Sequence, residues 1–269
     1  MPKSQFVDPK VLRKQGQIKF SSIPVNAYKK TIEEEKANYT TEDFMRIFYD
    51  MAVIREYETA LNSVKTTSAY NGIEYNNPGP AHLSIGQEAA AVGQAYLLDK
   101  NDFVFGSHRS HGEIIAKAFS CINKMTDEEL LKIMESYNDG KDLRVCEHYE
   151  GFKKFSVKEQ AQFFFIYGTL AEIFAKETGF SKGLGGSMHA FFTPFGIYPN
   201  NALVGGSADI ALGGALYKHC NKKPGIAIAN IGDASMGCGP VWEAMMFSAM
   251  DQFKQLWEGE YKGGLPILF

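Results

Sequence analysis

The sequence has 269 residues, a formal net charge of −3, 45% hydrophobic residues and 22% charged residues. This composition is typical of a globular protein and leaves room for one large α/β domain, or for one domain with an arm. The nearly balanced charge disfavours a nucleic-acid partner, because nucleic-acid-binding proteins usually carry a basic face. No apolar run approaches the roughly 18 residues that a membrane span requires, so we also expect no membrane partner.

The four cysteines lie far apart and never form a CxxC pair, which favours free thiols in a reducing compartment over a disulfide framework. The N-terminus lacks the apolar segment of a secretory signal. Residues 1–30 are mildly basic but contain Asp8 and a single arginine, Arg13, which fits a mitochondrial transit peptide poorly. We therefore predict a cytoplasmic protein, with the mitochondrial matrix as the alternative.

Residues 1–40 are predicted to form a largely helical N-terminal arm with little core, since prolines interrupt it and its apolar residues are few. A domain is predicted over 41–269. It opens with an amphipathic helix over 42–64, which Thr40 or Thr41 can cap. The elements predicted next are a loop over 71–80, a helix over 86–97, a strand over 102–105, and helices over 110–119 and 126–137.

The second half begins with residues 138–160, a polar stretch without a clear period that we interpret as an insertion. It continues with a glycine-rich turn over 183–186, a small-residue segment over 202–215, a buried parallel strand over 225–231, a helix over 240–257 and a strand over 266–269. Strand, turn, helix and strand in this order indicate a doubly wound, mostly parallel α/β sheet. Because the sequence stops inside its last apolar run, we expect the domain to be incomplete.

The clearest candidate site follows the buried strand, where Gly232 and Asp233 lead into a turn and a helix. Ligands of open α/β sheets bind at the carboxyl ends of the strands. A carboxylate there can hold Mg²⁺ against a diphosphate, and the helix N-terminus adds backbone donors. The alternative is that Asp233 only caps the helix.

Two other strand-end loops carry candidate residues. His82 could be a general acid or base, a donor to a substrate anion, or an ordinary surface residue. Arg109, beside His108, could pair with phosphate in a bidentate way. The segments 182–189 and 203–206 are glycine-rich but match neither a P-loop nor the dinucleotide fingerprint. The residues alone thus indicate an α/β protein that binds a phosphorylated ligand with Mg²⁺.

Five motifs occur in an order that resembles the α subunits of thiamine-diphosphate-dependent 2-oxo acid dehydrogenases, the E1 components of pyruvate, branched-chain and acetoin dehydrogenases. They are HLSIGQEA from His82, HRSHG from His108, KGLGGSMH from Lys182, LVGG from Leu203 and GDA from Gly232. The resemblance implies the thiamine-diphosphate-binding fold, here incomplete. It also implies thiamine diphosphate and Mg²⁺ as cofactors.

The resemblance implies a role for each matched position. Asp233 would ligate Mg²⁺, and His82 would be catalytic, facing the substrate side of the thiazolium ring. The positions that would contact the cofactor are His108, Arg109, Ala202, Val204, Gly232, Asp233, Ala234 and Ser235. Two of them depart from the family's pattern, because alanine replaces glycine at Ala202 and Ala234. The second half of the cofactor motif, an Asn pair after the next strand, would lie beyond Phe269.

The implied reaction is oxidative decarboxylation of a 2-oxo acid, with acyl transfer to lipoamide on an E2 acyltransferase. An E1 β subunit or domain would supply the glutamate that activates the aminopyrimidine, and two α–β units would pair as a dimer. Three alternatives stay open: another type of thiamine enzyme, an acetoin-cleaving member, and a fragment that is inactive by itself. A nicotinamide dehydrogenase is disfavoured, because the dinucleotide fingerprint is missing.

Overall fold

The computed structural model describes residue 6 and residues 8–17, 19–77, 79–259 and 262–269. Predictions that fall on other positions lie outside the described residues. The arm contains two short helices, α1 (Pro9–Leu12) and α2 (Ile32–Glu35), and neither has a buried residue. The first long helix, α3 (Thr41–Thr67), begins at a capping box between Thr40 and Asp43. Reciprocal bonds of this kind satisfy two backbone donors that a helix start otherwise leaves unpaired.

The remaining elements largely follow the predicted order. They are β1 (Ala69–Tyr70), β2 (Ile73–Glu74), α4 (Glu88–Ala95), β3 (Phe103–Phe105), α5 (His111–Lys124), α6 (Asp127–Ser136), α7 (Lys141–Cys146), α8 (Val157–Ile173), β4 (Ile197–Tyr198), α9 (Gly206–Asn221), β5 (Ala227–Ala229), α10 (Gly239–Ser248) and β6 (Ile267–Leu268). None of the helices in the described ranges is long and apolar enough to cross a membrane. All four cysteines are free thiols, as predicted.

The main sheet has the strand order β4-β3-β5-β6, and all its neighbouring strands are parallel. The side chains of its two central strands, β3 and β5, lie in two different cores, since successive side chains of a strand point to opposite faces of the sheet. Val104 and Ile228 face a large core with α3, α4, α5 and α8, whereas Phe105, Ala227 and Ala229 face a smaller core with α9. Helical cover on both faces confirms the predicted α/β fold.

Several local predictions were wrong or incomplete. The hairpin of β1 and β2 extends into the predicted loop over 71–80. The predicted helix over 240–257 is two pieces, because α10 ends at Ser248 and a π-helical turn follows at Gln252–Leu256. Residues 138–160 contain two 3₁₀ turns, α7 and the start of α8. Helix α8 was missed because it is buried on several sides, which removes the polar face that reveals a helical period.

The glycines of α9 differ in their surroundings. Gly214 is tightly packed, because an added Cβ would lie 2.8 Å from the Phe105 ring. Gly213 is not, because nothing lies within 4 Å of its Cβ position. At Gly168, the only glycine in α8, an added Cβ would lie 2.2 Å from the Phe180 ring.

We expect alanine to have opposite effects at Gly168 and Gly213. Gly168→Ala should lower the free energy of unfolding by about 1–3 kcal/mol, because the methyl group overpacks the core. Gly213→Ala should raise it by about 0.5–1 kcal/mol, since alanine is the better helix former and space is open. Urea unfolding followed by circular dichroism measures both values. A stabilising Gly168→Ala substitution would contradict the packing described for α8.

Candidate functional site

A shallow groove lies at the carboxyl ends of β3 and β5. Three of the predicted motifs meet in it, although more than a hundred residues separate the first from the last. The residues that line it are Ser107, His108, Asn201, Leu203, Val204, Gly205, Ser207, Asn230, Ile231, Gly232 and Ser235. The parallel sheet explains this convergence, because its strands deliver their following loops to one edge.

A chain of hydrogen bonds fixes the loop before α9 against β3. Ser207 Oγ donates to the Gly106 carbonyl at 2.8 Å, and Asn201 Nδ2 donates to Ser207 Oγ at 3.2 Å. Asn201 Oδ1 accepts from Leu203 N at 3.0 Å. Gly205 has a φ of +81°, and its Cβ position would lie 3.0 Å from Cys238 Cβ, so both conformation and space favour glycine. The N-terminus of α9, with its positive dipole, therefore opens beside the groove.

The turn after β5 places backbone in the groove and a carboxylate outside its lining. Gly232 and Ser235 line the groove, while Asp233 and Ala234 are exposed. Helix α10 has Cys238 at its N-cap and no side-chain cap, so the interpretation of Asp233 as the cap of α10 was wrong. Ala234 has no left-handed backbone and therefore does not need glycine there.

The donors at this turn suit a diphosphate and a hard cation. Backbone at Gly232 and the Ser235 side chain face the groove, and Asp233 offers a carboxylate one residue away. Mg²⁺ is commonly held by one or two carboxylates together with water and phosphate oxygens. Among the described residues, no group of three or more His, Cys, Asp or Glu side chains is arranged to hold a metal by itself.

His82 lies next to the groove, edge-on to His108, with ring centroids 5.2 Å apart and ring planes at 83°. Burial lowers the pKa of His82, and the positive charges of His108 and Arg109 lower it further. The ring is thus favoured in its neutral form, which offers one N–H donor and one acceptor. His82 itself does not line the groove.

Arg109 is exposed and bonds to the chain next to His82. Its Nη1 donates to the Leu83 carbonyl oxygen at 3.0 Å. Of the nine predicted site residues, the groove lining contains His108, Val204, Gly232 and Ser235. Outside that lining lie His82, Arg109, Ala202, Asp233 and Ala234.

A second cavity, of about 90 Å³, adjoins the groove and shares Asn230 with it. Gln94 Nε2 donates to Asn230 Oδ1 at 2.6 Å. Glu113 Oε2 is buried here without a hydrogen-bond partner. Burial raises the pKa of Glu113 to about 8, and the neighbouring Asn230 amide opposes that rise. Sequence reasoning missed Glu113, because a glutamate in the first turn of a helix normally faces solvent.

Glu172 organises the glycine-rich turn that begins at Lys182. The Glu172 side chain is fully buried and accepts four backbone N–H groups. Its donors are Ser181 at 2.7 Å, Gly183 at 3.0 Å, Gly185 at 2.6 Å and Gly186 at 3.2 Å. Such charge-assisted bonds compensate a carboxylate for lost hydration. The sequence offered one signal for this role, a single charge near the end of the apolar run 163–174.

Comparison with protein families identifies the family of this chain. The family model described as "Dehydrogenase E1 component" matches residues 51–151 and 156–255, well over half of the chain. The chain belongs to this family. Within the stretch 138–160, residues 152–155 fall between the two matched ranges.

Relatives of this E1 chain share modest identity over most of its length. It is 26% identical over 234 residues to the α subunit of acetoin:2,6-dichlorophenolindophenol oxidoreductase from Bacillus subtilis, covering 87% of this chain and 55% of the relative. It is 26% identical over 238 residues to the pyruvate dehydrogenase E1 α subunit of Rickettsia prowazekii, covering 88% and 53%. The mitochondrial pyruvate dehydrogenase E1 subunit α-2 of Arabidopsis thaliana is 23% identical, covering 86% and 45%.

The chain spans about half the length of the curated relatives it matches. Membership of the E1 family implies thiamine diphosphate as the cofactor. The groove is compatible with it, because it combines backbone and hydroxyl groups near a carboxylate with the exposed apolar side chains of Leu203 and Val204.

The raised pKa of Glu113 gives this E1 chain a pH-dependent stability. Between its ordinary value of 4.5 and about 8, the folded protein holds a proton at Glu113 that the unfolded chain releases. Stability therefore falls as the pH rises through this window. Glu113→Gln, which imitates the protonated form, should raise the free energy of unfolding at pH 8 by about 1–3 kcal/mol and have little effect near pH 5.

Urea unfolding at both pH values measures this difference. Glu128→Gln, at an exposed position on α6, is the matched control and should show no such dependence. An equal effect of Glu113→Gln at pH 5 and pH 8 would show that the surroundings do not raise the pKa of the Glu113 carboxyl group.

Proposed function

We propose that this chain is the α part of a thiamine-diphosphate- and Mg²⁺-dependent 2-oxo acid dehydrogenase. The reaction is oxidative decarboxylation of a 2-oxo acid, followed by acyl transfer to lipoamide on an E2 partner. The observation that carries the proposal is the groove itself, which gathers His108, Val204 and Gly232 from three separate motifs at one edge of the sheet. A site at this edge is where open α/β sheets bind their ligands.

Each part of the groove suits a different part of the cofactor. Gly232 and Ser235, with the N-terminus of α9, would hold the diphosphate, and Asp233 would hold Mg²⁺. Leu203 and Val204 are 74% and 60% exposed, and they would support the aminopyrimidine ring. Burying such apolar side chains against a ring stabilises the bound state. When bound, thiamine diphosphate supplies the electron sink for decarboxylation.

His82 is proposed to act on the substrate side. Its lowered pKa keeps the imidazole neutral at physiological pH. A neutral ring can donate one hydrogen bond to an oxygen that gains charge during the reaction, and it can accept a proton at the other nitrogen. Arg109 would contribute positive charge near the diphosphate while its Nη1 holds Leu83.

A β partner is proposed to cover the open side of the groove. Trp242 and Met246, on α10, are 56% and 69% exposed. Leu203 and Val204, which line the groove, are exposed apolar side chains as well. Trp242 and Met246 are four residues apart and therefore lie on one face of α10, and exposed apolar side chains grouped in this way favour an interaction site. The β part would also bring the glutamate that activates the aminopyrimidine, and two α–β units would form the dimer. The compartment stays a prediction, cytoplasmic or mitochondrial.

A second candidate is acetoin cleavage, favoured by the named activity of the Bacillus subtilis relative. It would use the same groove and differ only in the substrate. Turnover of acetoin and of a panel of 2-oxo acids, each with lipoamide and with an artificial electron acceptor, separates the two reactions.

We expect Asp233→Ala to abolish Mg²⁺-dependent cofactor binding. Calorimetric titration of thiamine diphosphate into the complete α–β protein, with Mg²⁺ and with chelator, measures this effect. Glu128→Ala removes an exposed carboxylate from α6, which does not line the groove, and should leave affinity unchanged. Retained affinity for thiamine diphosphate in Asp233→Ala would contradict the assignment of Asp233 as a metal ligand. Failure of the unmodified protein to bind thiamine diphosphate would refute the proposed function.

A further inference from the structure

A buried hydrogen-bonded chain connects α3, α5 and the glycine-rich turn. His111 Nδ1 lies 2.9 Å from Glu58 Oε1, and His111 Nε2 lies 2.9 Å from Ser187 Oγ. Ser187 Oγ in turn accepts the backbone N–H of His82 at 3.1 Å. The Glu58 and His111 side chains are completely buried, and Ser187 is 3% exposed.

The order of serine, histidine and carboxylate is that of a hydrolytic triad, but the surroundings exclude that role. A nucleophilic serine must reach a substrate, and all three residues lie inside the core. The Ser187 hydroxyl oxygen already accepts the His82 N–H. The chain therefore holds neighbouring groups in place and does no chemistry of its own.

A carboxylate only accepts, so with Glu58 ionised the proton between the two side chains lies on His111 Nδ1. In the tautomer with a single ring proton, Nε2 then accepts the Ser187 hydroxyl, and Ser187 Oγ accepts the His82 N–H. A hydroxyl oxygen has two lone pairs, so the bond from the His82 N–H does not depend on which atom donates between Ser187 and Nε2.

Three consecutive residues of the loop that carries His82 are held through their backbone. His82 N bonds to Ser187 Oγ, Leu83 O accepts from Arg109 Nη1, and Ser84 N donates to Glu58 Oε2 at 2.8 Å. Glu58 Oε1 also accepts the Ser84 hydroxyl at 3.2 Å, so this carboxylate bonds the Ser84 end of the segment directly and reaches the His82 end through His111 and Ser187. A loop whose backbone is held in this way loses little freedom when the reaction begins.

We propose that Glu58, His111 and Ser187 are positioning residues. They hold the backbone of His82 in place, and so fix the position of its side chain on the substrate side of the site. The inference rests on the proposed function only for the role of His82. The three residues act through the His82 backbone and touch neither substrate nor cofactor. Their loss should reduce the rate of the chemical step and leave cofactor affinity in place.

Ser187→Ala in the complete α–β protein tests the proposal. The His82 amide should exchange with solvent at least about tenfold faster, because its acceptor is gone, and kcat should fall about 10- to 100-fold. The Kd for thiamine diphosphate should stay within about twofold, since no removed atom faces the groove. Ser181→Ala is the matched control, because it removes a hydroxyl from the same turn that is buried without a partner. It should change none of these values.

Two outcomes would overturn the proposal. One is unchanged His82 exchange and kcat in Ser187→Ala. The other needs no variant: a His82 amide that exchanges in the unmodified protein as fast as in an unfolded peptide would show that it makes no bond to Ser187, even if Ser187→Ala failed to fold. Failure of the proposed function is a separate result, because an unmodified protein that binds no cofactor would still report on the exchange of His82.

Discussion

A carboxylate taken out of water must find hydrogen-bond donors, and this requirement shapes both loops beside the groove. Glu58, on α3, accepts hydrogen bonds from His111 and Ser84, and so fixes the loop that carries His82. Glu172, at the end of α8, accepts hydrogen bonds from four backbone N–H groups and so fixes the conformation of the turn that carries Ser187. The two carboxylates are connected through Ser187, which lies on the turn held by Glu172 and bonds to the His111 ring held by Glu58. Removing either carboxylate would leave the hydrogen-bond donors of the other poorly placed.

The sheet sets the position of the groove, and the loops determine its chemistry. Short parallel strands of two or three residues are enough, because helices cover both faces and bury the strands on both sides. Val104 and Ile228 lie in register at the centre, so the loops after β3 and β5 leave the sheet side by side. His108 and Gly232 therefore become neighbours although they are far apart in the sequence.

The sequence predicted the elements with strong local signals and missed those that depend on packing. Thr40, one of the two capping residues predicted for the first long helix, caps α3, because capping is a local interaction. Helix α8 was not predicted because its burial hides the helical period, and β4 was not predicted because two residues give no alternation. In the site, motif order predicted His108 and Gly232 as cofactor contacts, and both line the groove. Glu113 became apparent only from the cavity around it, and the partners of Glu58 only from the fold, although Glu58 lies on the apolar stripe between Ile54 and Leu61.

The Glu172 interaction has a consequence for local opening of the chain. A glycine-rich turn on a protein surface would ordinarily open and close independently of the core. Here its four amides are bonded to a side chain of α8, which packs against α5 in the largest core. The turn therefore belongs to the same cooperative unit as that core. Its amides open with the subglobal unfolding of α8, so the flexibility that its three glycines provide is available during folding and withheld in the folded protein.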